Sequence, residues 1–78
     1  MDIKYHIHID NATYKKVAEL PCVKSICRNE RGIKVILSPD YTHGRLVAHT
    51  GEYIAQYGSG LWQCYGAESF QRAILKCK

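Results

Sequence analysis

Residues 3 to 9 alternate in character. Ile3, Tyr5, Ile7 and Ile9 fall on one side of an extended chain, and Lys4, His6, His8 and Asp10 on the other. Period two with β-branched and aromatic side chains predicts a half-buried strand. Asp10 or Asn11 then offers a side-chain oxygen to cap a helix. The helix is "ATYKKVAEL", with Tyr14, Val17 and Ala18 on one face at helical spacing. Pro21 lacks an N–H and disfavours helix in the residue before it, which stops the helix near Glu19 or Leu20.

"CVKSICR" predicts a second strand, "NERG" a turn around Gly32, and "IKVILS" a third strand, so the pair forms a hairpin. "PDYTHG" reads as a loop, marked by Pro39, Asp40 and Gly44. Three short strands follow in "RLVAH", "EYIAQY" and "LWQCY", separated by Thr50-Gly51 and by Gly58-Ser59-Gly60. In the middle one, Tyr53, Ala55 and Tyr57 share a side opposite Glu52, Ile54 and Gln56. "AESFQRAILKCK" closes the chain as a helix, with Phe70, Ala73, Ile74 and Cys77 on one face. Glu68 in its first turn and Lys76 and Lys78 in its last suit the helix dipole. The order β-α-β-β-β-β-β-α implies an α+β fold: one small curved antiparallel sheet with two helices packed on it.

Length and composition add limits rather than a function. The 78 residues, 46% hydrophobic and 23% charged, suit a single globular domain spanning 1–78 with a small core. No run reaches the ~18 apolar residues of a membrane span, and "MDIKYHIHID" has no signal-peptide core, so a cytoplasmic location without a membrane partner is expected. Cys22, Cys27, Cys64 and Cys77 have no C-x-x-C spacing for zinc and no secreted context for disulfides. They are expected to serve as small buried hydrophobes, with Cys77 the most exposed. The net charge of +4 comes from scattered Lys and Arg and favours anionic partners only weakly.

Candidate chemistry begins with H-x-H-x-D at His6, His8 and Asp10. On a strand these project from one face about 7 Å apart. Two imidazoles so placed suit a metal, provided further ligands arrive from elsewhere, and His43 and His49 are the remaining histidines. Against this, Asp10 has work as a cap, and a polar stripe opposite four apolar residues is what a half-exposed strand carries. No serine or cysteine has the local context of a nucleophile, so no enzyme activity, metal or other cofactor is expected. "YGSGLW" lacks the lysine and following helix of a phosphate-binding loop and reads as a hairpin turn. Six tyrosines are many for this length. Exposed rings on a sheet suit RNA bases, and tyrosine with arginine suits a protein interface. Trp62 and Tyr53 are expected in the core, with Tyr41, Tyr57 and Tyr65 half exposed at its rim.

The segment "LVAHTGEYIAQYGSGLWQCYGAESFQRAI" resembles the carboxy-terminal part of a widespread set of small phage and prophage proteins. The matching positions are Gly51, Glu52, Tyr53 and Ile54, then Gly58 or Gly60, Trp62 and Phe70. Glu52 stands where that family usually has Asp, and His49-Thr50 replaces the usual residues before the glycine. The resemblance implies a phage or prophage origin, a bacterial host cytoplasm and an accessory role, and it implies no reaction.

Two readings of function follow, with a His6/His8 metal enzyme held in reserve. The first is a non-enzymatic accessory protein that binds a host or phage protein, inhibition of a bacterial defence system being one such role. Its binding residues are expected at Tyr41, His43 and Arg45 in the loop and Tyr57 at the hairpin tip. The second is nucleic-acid binding through Lys24, Arg28, Arg31 and Lys34, on or beside the "NERG" hairpin. Either a monomer or a homodimer joined at an open sheet edge fits the pattern.

Overall fold

A computed structural model describes residues 3–76. The described elements are β1 (Ile3–His8), α1 (Tyr14–Ala18), β2 (Val23–Asn29), β3 (Gly32–Leu37), β4 (Val47–His49), β5 (Tyr53–Tyr57), β6 (Trp62–Tyr65) and α2 (Ala67–Lys76). Their order matches the sequence pattern. Their pairing does not give one curved sheet: two three-stranded antiparallel sheets form, β1-β5-β6 and β2-β3-β4. The reason is non-local. β1 pairs with β5 rather than β2, placing Ile7 opposite Ile54 and His8 opposite Tyr53. The ladder continues past the strands through Ile9 N–H to Glu52 C=O and Gly51 N–H to Ile9 C=O, both 2.9 Å.

The two sheets enclose a common core. The first sheet contributes Ile7, Ile9, Ile54, Trp62 and Cys64, the second Ile33, Val35, Leu37 and Ala48, and Val17 of α1 joins Cys22 in the same cluster. Alternation explains the choice: Ile33, Val35 and Leu37 point inward while Lys34 and Ile36 point out. Helix α1 is shorter than the expected 12–20 span. Asn11–Thr13 form a turn instead, held where the Asp10 carboxylate accepts the Thr13 N–H at 2.9 Å and Thr13 Oγ1 accepts the Asp10 N–H at 3.0 Å.

Two register shifts matter. In β1 the partner of Ile3 is Tyr57 and that of Tyr5 is Gln56, so Lys4 is the extra residue of a bulge. The bulge takes Ile3 off the inward row and sets it opposite Tyr57, away from the core that receives Ile7 and Ile9. In β2 the partners step from Val23↔Leu37 to Ser25↔Ile36, leaving Lys24 as the extra residue. At the β2–β3 turn, Gly32 adopts φ +125°. A Cβ there would lie 2.6 Å from Thr50 Oγ1, the atom that accepts the Ile33 N–H.

The segment between β3 and β4 seals one sheet edge. Thr42 forms a parallel bridge with Trp62. Trp62 N–H donates to Tyr41 C=O at 2.9 Å, and His43 N–H donates to Trp62 C=O at 2.8 Å. Thr42 and Trp62 are both buried, so Tyr41 and His43, one step either side of Thr42, are turned to the opposite face.

Candidate interface on the first sheet

The outer face of the first sheet is where the notable side chains gather. The registers put His6 beside Ala55, His8 beside Tyr53, and Gln63 beside Ala55, all facing away from the core. Ala55, Tyr57 and Phe70 are buried yet lie outside the core cluster. They belong to a second apolar layer on this face. Helix α2 covers one end of it: the Phe70 ring stacks on Tyr53 at 4.1 Å and 7°, with His6 at 4.9 Å and Tyr65 at 6.1 Å. Tyr53 is therefore half-buried beneath the helix rather than in the main core, while Trp62 is in that core as expected.

H-x-H-x-D splits into two separate roles on this face. His6 is exposed and edges the Phe70 stack. His8 Nδ1 bonds to Asp10 Oδ2 at 3.0 Å. An ionised carboxylate only accepts, so Nδ1 carries the hydrogen. That bond, and then the Thr13 N–H, hold the Asp10 carboxyl below its usual range. His43 and His49 do not join the pair, since His43 lies by β6 and His49 beside Glu52. Among the described residues no three His, Cys, Asp or Glu come together to hold a metal.

The other end of the face presents exposed side chains. Here His43, Tyr57, Ser59, Leu61 and Gln63 line a pocket of about 150 Å³ with mostly apolar walls. Tyr57 forms part of it while only 8% exposed, a correction to its expected place on a half-exposed rim. The bulge at Lys4 explains this, because Ile3 now sits opposite Tyr57. The Tyr57 hydroxyl donates to Gln63 Oε1 at 2.7 Å. Tyr41 (52% exposed) and Leu61 (45%) present large apolar surface beside the pocket. Leu61, Ser59 and Gln63 were not among the residues singled out from the sequence. The signal for Leu61 was present: it immediately precedes an inward tryptophan, so strand alternation turns it outward.

Arg45 does not join this pocket. Its Nη2 bonds to Glu52 Oε2 at 2.6 Å and its Nε to Cys64 Sγ at 3.3 Å, across the junction of β4, β5 and β6. Glu52 Oε1 also accepts the His49 N–H at 2.7 Å. Partial burial pushes the Glu52 carboxyl up, but Arg45, the His49 N–H and the adjacent charges outweigh it and hold it below the usual range. Four positions of the carboxy-terminal pattern have structural places: Gly51 turns at φ +88°, Ile54 and Trp62 fill the core, and Tyr53 stacks on Phe70.

The four basic residues of the second reading do not share one surface. Arg28 is on the side of Ile33, with its guanidinium 4.8 Å from the Tyr14 ring centre. Lys34 pairs with Cys27 and faces the opposite way, and Lys24 occupies the bulge. Arg28 and Arg31 line a common groove, with Asn11, Asn29, Glu30 and Gly32. Among the described cysteines, Cys22 and Cys64 are buried free thiols and Cys27 is exposed, which corrects its expected burial. Cys77 lies outside the described residues. No described helix is long and apolar enough to cross a membrane.

Compared with protein-family models, curated proteins and solved structures, the chain matches none.

Proposed function

We propose that this is a small non-enzymatic binding protein, of the phage accessory kind its carboxy-terminal pattern resembles, that acts by occupying a surface on a host or phage protein. Inhibition of a bacterial defence system is one role of this type. The observation that carries the reading is the far end of the first sheet, where Tyr41 and Leu61 stand exposed beside an apolar-walled pocket. A tyrosine whose backbone is bonded to a strand, as Tyr41 C=O is to the Trp62 N–H, supplies large contact area at little conformational cost. Central anchors of this type cost about 2 kcal/mol or more when truncated, roughly thirtyfold in affinity.

The test is co-purification from a phage-susceptible bacterium with tagged protein. A discrete partner is expected with the wild type and absent with Tyr41→Ala/Leu61→Asp, provided Trp62 fluorescence shows the variant folded. Full retention of the partner by that variant refutes this surface.

A second reading keeps one supporting observation, the groove shared by Arg28 and Arg31 at the β2–β3 turn. Two phosphate contacts there give a salt slope of roughly two in log affinity on duplex DNA. Filter binding at two salt concentrations, with Arg28→Ala/Arg31→Ala as the control, separates it from the first.

A further inference from the structure

We propose that residues 39–44 form a strap that opens from β6 separately from the rest of the fold, and that only its docked state assembles the binding surface. The second half of this rests on the protein-binding role above.

The strap is fixed at its ends and thinly attached between them. At one end the Ser38 N–H donates to Cys22 C=O at 2.7 Å. At the other, the Arg45 guanidinium bonds to Glu52 at 2.6 Å, and the Cys64 thiol donates to Arg45 C=O at 3.3 Å. Between these anchors Thr42 is the one buried residue, and Pro39, Asp40, Tyr41, His43 and Gly44 are all exposed. The strap meets β6 through two backbone bonds, Trp62 N–H to Tyr41 C=O at 2.9 Å and His43 N–H to Trp62 C=O at 2.8 Å. Segments with few buried contacts and solvent-exposed bonds open at a fraction of the global unfolding free energy. Gly44, at φ +84°, gives the strap a joint next to Arg45.

The single anchor is a flawed one. Thr42 is 8% exposed, and among the described residues nothing bonds its Oγ1. Buried hydroxyls are ordinarily paired, and one left unpaired weakens the state that buries it. Lifting the strap returns this hydroxyl to water. Docked and lifted states therefore lie closer in free energy than an apolar anchor of the same shape would leave them. The same movement carries off Tyr41 and His43, which takes one wall from the pocket and the exposed ring from beside Leu61. A site present only in the docked fraction loses apparent affinity by that fraction.

The test is amide hydrogen exchange, read by NMR on the full-length protein and on Thr42→Val, which keeps the shape and removes the hydroxyl. The His43 and Trp62 amides report the strap. Leu37 and Ser38, bonded to Leu46 C=O and Cys22 C=O, report the chain beside it, and Tyr57, bonded to Leu61 C=O, reports the hairpin. In the wild type, His43 and Trp62 are expected to share one protection factor, lower than those of Leu37 and Ser38. Thr42→Val is expected to slow both by about tenfold, the effect of relieving one unpaired hydroxyl, and to leave the other three unchanged. Thr42→Ser, which keeps the hydroxyl and loses the methyl, is expected to speed both by about fourfold. Strap protection equal to that of Leu37, exchange unchanged or faster in Thr42→Val, or a shift shared with Leu37 or Tyr57 overturns the strap. In the co-purification, Thr42→Val is expected to retain at least as much partner as the wild type. Loss of the partner by Thr42→Val despite slowed exchange overturns the strap's role at the surface. If the wild type captures no partner, the protein-binding reading falls and takes that role with it, while the exchange rates still decide whether the strap opens.

Discussion

Replacing Phe70 with alanine probes how α2 is held. Phe70 is 4% exposed, and it is the one buried residue among the described α2 side chains, Ala67 to Ala73. A phenylalanine buries about 150–250 Å², worth about 4–6 kcal/mol at ~25 cal/mol per Å². Truncations of this kind cost about 3–5 kcal/mol. A 78-residue domain has roughly 4–12 kcal/mol in total. A loss of that size in the main core would bring the protein close to unfolding. Phe70, however, sits on the outer face, outside the core cluster. The cheaper response is for α2 to leave while the two sheets stay together. A ten-residue helix is too short to persist alone. Ten of the fifteen described α-helical residues belong to α2, so helicity by circular dichroism is expected to fall by about two-thirds. The urea midpoint read from Trp62, buried in the main core, is expected to move little. A single transition, in which helicity and Trp62 fluorescence shift together by the full 3–5 kcal/mol, refutes the separate layer. So does an α2 whose amides remain protected in the variant.

Other outcomes follow from particular contacts. Gly32→Ala combines an unfavourable φ of +125° with a Cβ 2.6 Å from Thr50 Oγ1, and should cost about 1–3 kcal/mol in urea unfolding. Glu52 has its carboxyl held below its ordinary 4.5 in the folded state. Its stabilising effect is therefore complete above that value and is lost as pH falls through the lower folded one. Glu52→Gln should flatten that part of the acid-unfolding curve, measured by urea midpoints across the acid range. Burial pushes the Cys22 thiol up to about 11, so native protein in mildly alkaline iodoacetamide should be alkylated at exposed Cys27 and spared at Cys22, as read by peptide mass spectrometry.

Element types were legible in the sequence because each rests on local periodicity. "YHIHID" alternates, and Ile7 and Ile9 are buried while His6 is exposed. The Phe70 stripe marked a docked helix, and Phe70 docks it. What the pattern did not carry was partner choice. Nothing local tells β1 to pair with β5 rather than β2, because Ile7 meets Ile54 only after most of the chain has been laid down. The single sheet thus became two. The bulge at Lys4 was equally silent, since a lysine in an alternating strand reads as an ordinary solvent-facing residue. Its displacement of Ile3 accompanies the burial of Tyr57 and helps shape the pocket. Of the four loop and hairpin residues expected to bind, His43 and Tyr57 line that pocket and Tyr41 stands beside it. Arg45 faces a charge partner, Glu52, that sequence spacing alone did not assign to it.

The bulges at Lys4 and Lys24 have a common consequence. Each lies in the strand that begins its sheet, β1 or β2, and each of those strands is an outer edge. A straight edge is a template for further strands, and repeated addition leads to fibrous stacking. Here each ladder is interrupted at an exposed lysine, and bulges and edge lysines both discourage the pairing of a further strand. Lys24 is thus well placed as a guard against runaway self-assembly, a task that requires no nucleic acid.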